Sequence, residues 1–134
     1  MYRKGFTLIE LLIVFMLIGL SVSIVIPNIG NSYDKIKFRD KTKKVFELVQ
    51  KVKFHAFYYQ KNIVISERDN TLFIEGIEIP EEEIPELYYE VNEKIQFSPN
   101  GISSGGEIHL YFKGNLRTII KIEKFSGNVS RESA

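Results

Sequence analysis

Residues 5–27 read GFTLIELLIVFMLIGLSVSIVIP. From Phe6 to Ile26 only Thr7, Glu10, Gly19, Ser21 and Ser23 interrupt a run of large apolar side chains. As a helix rising about 1.5 Å per residue, those 21 positions (26 − 6 + 1) extend roughly 32 Å. A hydrocarbon core is about 30 Å thick, so the run predicts one membrane-spanning helix. Arg3 and Lys4 precede it, which keeps the N-terminus in the cytoplasm and exports everything after Ile26.

Glu10 is out of place in such a helix. A carboxylate at the bilayer centre costs about 2.5–3.5 kcal/mol on insertion scales, and less near the interface. An ordinary secretory signal is the alternative reading of the segment. Met1-Tyr2-Arg3-Lys4 would be its charged region and Ser21-Val22-Ser23 a small-x-small cleavage site. The apolar run, however, starts abruptly at Gly5-Phe6 and continues past Ser23 through Ile24-Val25-Ile26. Glu10 also weakens an insertion signal without aiding cleavage. Taken alone, a carboxylate here snorkels to the headgroups or stays protonated.

Gly5-Phe6-Thr7-Leu8-Ile9-Glu10-Leu11-Leu12-Ile13-Val14 resembles the N-terminal motif of type IV pilins and type II secretion pseudopilins. The resemblance implies cleavage between Gly5 and Phe6 by a membrane prepilin peptidase, followed by methylation of the Phe6 amine. It implies that the apolar helix stays on the mature chain, and that Glu10 pairs with the terminal amine of a neighbouring subunit. In related pilins the stretch between residues such as Gly19 and Pro27 unwinds when subunits pack. Alternatively Pro27, which lacks a backbone donor, marks where the helix leaves the membrane and bends. Both readings of Gly19 and Pro27 stand at this point.

Beyond Pro27 the pattern becomes amphipathic. Phe38, Val45, Leu48, Val49, Val52, Ala56 and Tyr59 recur mainly at spacings of three, four and seven, with lysines filling much of the rest. One helix is therefore expected from Phe6 to about Gln60, its second half laid on a core. After Asn62 the period falls to two. NIVIS and TLFIE flank a turn at Glu67-Arg68-Asp69-Asn70, and LYYEV and KIQFS flank one at Asn92-Glu93. EIHLYF and RTIIKIE flank Lys113-Gly114-Asn115, and FSGNVS closes the sheet. The fold class expected is α+β: a long N-terminal helix packed on a C-terminal antiparallel sheet domain, covering one sheet face. Four segments follow: a leader at 1–5, a membrane and assembly helix at 6–26, its amphipathic continuation at 27–60, and a β-rich periplasmic domain at 61–134.

The second half narrows the resemblance. IQFSPNGISSGGEIHLYF followed by RTIIKIEKFSGNV is similar to the C-terminal domain of the GspH/FimT group of minor pilins and pseudopilins. The positions that carry it are Phe97, Pro99, Gly101, Gly105, Gly106, Gly127 and Val129. The acidic middle of the chain lies outside it.

Charge is blocked rather than mixed. Residues 32–68 hold ten Lys/Arg against four Asp/Glu, residues 69–107 one against ten, and residues 108–134 five against two. With a total of +1, this is no dedicated nucleic-acid domain, but it suits contact through complementary patches. Some relatives act in DNA uptake, and here Lys121 and Lys124 are the residues a weak DNA contact would use. Five bases diluted by two acids make nucleic acid an unfavoured partner.

No catalytic constellation emerges. The Ser98–Gly106 stretch lacks a P-loop's Lys-Ser/Thr ending and opens onto a strand, so it reads as tight turns. Glu81, Glu82, Glu83 and Glu86 lack EF-hand spacing and read as a solvated loop able to dock on a basic partner. His55 and His109 have no ligand spacing, and cysteine is absent. The expectation is a non-enzymatic subunit with no cofactor and no metal. The resemblance implies a type II secretion pseudopilus subunit at or near the tip, partnered by other pilins, the prepilin peptidase and an inner-membrane assembly platform. A type IV pilus minor pilin is the alternative within the family, acting in pilus initiation, adhesion or DNA uptake. A secreted binding domain behind an ordinary signal peptide is the alternative outside it.

Overall fold

In the computed structural model, which describes residues 4–134, one α-helix precedes seven strands. Helix α1 (Leu8–Tyr58) is 51 residues long and contains Pro27 without a break. Two compact units divide the chain between Lys37 and Phe38. In the second unit, α1 turns Val45, Leu48, Val49, Val52 and Ala56 inward, all at most 5% exposed. Thr42 continues the stripe, its hydroxyl donating back to the Phe38 carbonyl (2.9 Å) so that this hydroxyl is not buried unpaired. The expected stripe ran on to Tyr59, but that ring is exposed because the helix ends there. Gln60 takes positive φ (53°), and the Lys61 amide donates to the Ala56 carbonyl (3.1 Å), a Schellman-type stop with glutamine in place of glycine.

The strands are β1 (Ile63–Arg68), β2 (Thr71–Glu75), β3 (Tyr88–Val91), β4 (Ile95–Phe97), β5 (Gly106–Phe112), β6 (Asn115–Ile122) and β7 (Val129–Ser133). They form two antiparallel sheets, ordered β2-β1-β4 and β3-β5-β6-β7, where a single sheet was expected. The α+β class holds; the division into two sheets was not foreseen.

Turn chemistry explains the division. Two-residue hairpins that match strand twist require positive φ at their central residues. Asp69 and Asn70 (53° and 57°) supply it between β1 and β2, and Lys113 and Gly114 (50° and 78°) between β5 and β6. Both turns are tighter than the sequence suggested: Glu67 and Arg68 belong to β1, and Asn115 to β6. Asn92 and Glu93 have no positive φ, so they do not fold β3 back on β4. Instead β3 pairs with β5 (Val91 opposite Ile108) and β4 with β1 (Ile95 opposite Ile65). The hairpin expected at Asn92-Glu93 is thus a passage between sheets.

Side chains tie the sheets together. Glu67 of β1 accepts from the Asn70 and Val91 amides, both at 3.2 Å, and the Tyr89 amide donates to the Asn70 carbonyl (3.0 Å). The core fills with Ile63, Ile65, Leu72, Tyr89, Ile95, Phe97, Ile108, Leu110, Ile120 and Ile122. Burying each such side chain contributes about 1.5–3 kcal/mol. Tyr89 is large and polar-tipped, yet its hydroxyl donates to the Pro85 carbonyl (2.6 Å), and burial pushes its ionisation well above the usual tyrosine range.

Candidate assembly and processing site

The chain enters α1 through a short non-helical stretch, residues 4–7, that holds Gly5 and Phe6. Phe6 is almost fully exposed, and nothing lies within 4 Å of a side chain placed at Gly5. A peptide bond in this setting is open to a peptidase.

One turn further in, Thr7 and Glu10 hold each other. The Thr7 amide and hydroxyl donate to Glu10 Oε2 at 2.8 and 3.0 Å, and the Glu10 amide donates to Thr7 Oγ1 (3.3 Å). This is a capping box. The N-terminal turn has amides with no helical partner, and the threonine and glutamate satisfy them reciprocally. Thr7 was not singled out from the sequence, although Thr-x-x-Glu before an apolar run is its signature. The carboxylate that looked unpartnered therefore has a partner one turn away, at the end where negative charge is favoured by the helix dipole.

The rest of the segment is arranged for an apolar surrounding. From Leu8 to Ile26 the large side chains point outward uncovered, and α1 is the one helix among the described residues long and apolar enough to cross a membrane. Ser21 and Ser23 fold their hydroxyls onto the Leu17 and Gly19 carbonyls, both at 2.8 Å. No polar atom of theirs needs water.

Residues 1–26 match the family model described as the prokaryotic N-terminal methylation motif. The N-terminal segment is thus similar to that of type IV pilins and pseudopilins. That motif points to a structural subunit that assembles with other pilins after prepilin peptidase processing, anchored by one apolar helix. Among curated proteins and solved structures, none matches the chain.

The remaining sequence-predicted residues are scattered relative to this site. Gly19 and Pro27 both lie within continuous α1. Lys121 and Lys124 are in the strand domain, where they line one shallow cavity with Glu93, Glu107 and Glu123. Interleaved carboxylates leave no continuous basic track there. The Ser98–Gly106 stretch is a set of turns: the Gly101 amide closes on the Ser98 carbonyl (3.0 Å), and Gly105 adopts φ +74° against Lys124 backbone. His109 Nε2 lies 3.1 Å from Glu107, and His55 is half-buried on α1 with Nδ1 unpartnered.

The acidic loop differs most from its expectation. Residues 80–86 are expected to be solvated; their glutamates do face out, but Ile84 packs against the core together with the flanking Ile77, Ile79 and Leu87. Its basic partner is the chain's own helix: Lys51 Nζ meets Glu83 Oε2 at 2.8 Å, and Lys41 donates to the Glu86 carbonyl at 3.0 Å. Among the described residues no three His, Asp or Glu side chains converge as a metal site.

Proposed function

We propose that the chain is a pseudopilin: a precursor cleaved between Gly5 and Phe6, methylated at Phe6, and built into the pseudopilus of a type II secretion system. The observation that carries this reading is the methylation motif ending in a helix whose apolar surface its own chain leaves bare. Such a surface is satisfied by lipid before assembly and by other pilin helices afterwards. Glu10 then passes from Thr7 to the terminal amine of a neighbouring subunit, so two charges neutralise each other inside the filament. Arg3 and Lys4 hold the N-terminus in the cytoplasm at the inner membrane, and residues 61–134 lie in the periplasm. The similarity to the GspH/FimT group supports a place at or near the tip.

The mass of the mature chain tests this. A methylated chain starting at Phe6 is expected, and Gly5→Glu leaves the precursor uncut. A start near Ile24 would establish an ordinary signal peptide instead. Deleting the subunit separates the two filaments: extracellular protein release is lost while surface pili remain. The opposite outcome assigns it to a type IV pilus.

A further inference from the structure

The two flanks of α1 in the domain from Phe38 onward carry opposite chemistry. At about 100° per residue, Gln50, Lys53, Phe54 and Phe57 project to one side of the buried stripe, and Lys41 and Lys51 to the other. Neighbouring elements bear this out. Phe54 and Phe57 line a groove of about 500 Å³ with Asn100, Gly101 and Ser126, whereas Lys51 reaches Glu83 of the acidic loop. Beside the groove, Phe125 and Ile102 stand on the loops that border it. Phe54, Phe57 and Phe125 are 60%, 58% and 67% exposed. Side chains of that size leave roughly 300–400 Å² of apolar surface uncovered, the scale of a functional patch on a monomer.

The charges sort in the same way. Lys53 lines the groove, and Lys124 holds its ammonium 5.3 Å over the Phe125 ring. The nearby Glu123 carboxylate is occupied by the Ser126 hydroxyl (2.9 Å). On the other flank Glu75, Glu78, Glu81 and Glu82 are exposed, and among the described residues none of them makes an ion pair or side-chain hydrogen bond.

We infer that the acidic flank of one copy of this chain docks on the aromatic, lysine-bordered groove of a second copy. The contact is heterologous: the two surfaces differ and lie on opposite flanks, so each copy offers both a donor and an acceptor face. A contact of that kind joins successive copies head to tail within the filament instead of closing into a symmetric dimer. The aromatic rings supply the desolvated centre, and the Glu–Lys pairs fix register and select the partner. The inference rests on the filament reading and adds to it which surfaces of the strand domain meet.

The absence of cysteine gives a clean background for a test in the full-length chain. Two differently tagged populations are co-expressed in membranes, one with Glu82→Cys and the other with Asn100→Cys, and oxidised. A disulfide between the two tags is expected, at several times the yield from Glu82→Cys paired with Arg131→Cys on β7. Lys53→Glu on the Asn100→Cys chain should lower the yield roughly threefold, the scale of one exposed pair. Adding Glu81→Lys to the other chain should restore it. Equal yields from both cysteine pairs, or cross-links only to a different protein, would overturn the second-copy contact. The mass of the same chains separates the two ideas. A methylated Phe6 without the cross-link removes this contact and leaves the filament reading. The cross-link on a chain that starts elsewhere does the reverse.

Discussion

Up to Lys37, side chains such as Leu12, Phe15 and Leu17 are about 60% exposed, while Glu10, Ser21 and Ser23 spend their polar atoms on the chain's own backbone and on Thr7. From Phe38 onward the arrangement is inverted. Fifteen apolar side chains are buried, and the carboxylates of Glu75, Glu78, Glu81 and Glu82 face outward. The difference is one of solvent. A surface that meets lipid or other helices needs its polar groups satisfied internally, whereas a surface that meets water needs its apolar groups satisfied internally. One continuous helix serves both rules.

The sharpest way to break that comparison is to delete a large apolar side chain from each region. Phe97→Ala empties a fully buried position and should destabilise the strand domain by about 3–5 kcal/mol. Leu17→Ala should leave the domain's stability unchanged, because nothing in its own chain covers Leu17. Denaturant midpoints of the two variants in detergent, followed by β-strand hydrogen exchange, report the difference. A comparable loss from Leu17→Ala would mean that the apolar segment folds back on the domain, and the contrast would fail.

Gly76→Ala probes the same domain through its backbone. Gly76 has φ +99°, and an added Cβ would sit 2.4 Å from the Asn62 carbonyl oxygen. Backbone strain of this kind costs of order 1–3 kcal/mol, so the midpoint should fall by less than for Phe97→Ala. Gly101 has positive φ as well, but open space surrounds its missing Cβ, so Gly101→Ala should cost less.

How much of this was legible depended on the range of the interaction. The N-terminal motif, α1 and the strand alternation at Ile108, Leu110, Thr118, Ile120 and Ile122 are local periodicities, and they stand in the structure where the sequence put them. The split into two sheets was hidden because it turns on the φ angles at Asn92 and Glu93, which their residue types leave open. The latch from Lys41 and Lys51 to the acidic loop was hidden for a different reason. It joins residues more than thirty positions apart, and no spacing rule announces it. At the proposed processing site, the motif points to Gly5, Phe6 and Glu10. Thr7 was equally readable as a capping signature, but it was overshadowed by the charge it holds.

Thr7→Val tests whether the apolar segment depends on internal polar pairing. It removes the hydroxyl that donates to Glu10 and accepts from the Glu10 amide, leaving only the Thr7 amide bond. Loss of a helix N-cap costs about 1 kcal/mol. Faster hydrogen exchange at the Leu8–Leu11 amides in micelles is expected, with the strand domain untouched. Thr7→Ser should restore protection. If exchange at those amides is unchanged, the cap is not what steadies Glu10 in the unassembled subunit.

The smallest effect is expected where the domain's surface charges meet. Lys51 and Glu83 approach at 2.8 Å, yet both side chains are close to half exposed, so water competes with the pair. Exposed pairs contribute about 0.2–1 kcal/mol and weaken as salt rises. Lys51→Ala should therefore move the denaturant midpoint only slightly, and the difference should shrink further in high salt. What anchors the acidic loop is the packing of Ile77, Ile79, Ile84 and Leu87 beneath it. Ile84→Ala should accordingly loosen the loop more than Lys51→Ala, read as faster exchange across residues 76–87. The reverse order would mean that electrostatics holds the loop down, and that charge plays there the part assigned to burial elsewhere in the domain.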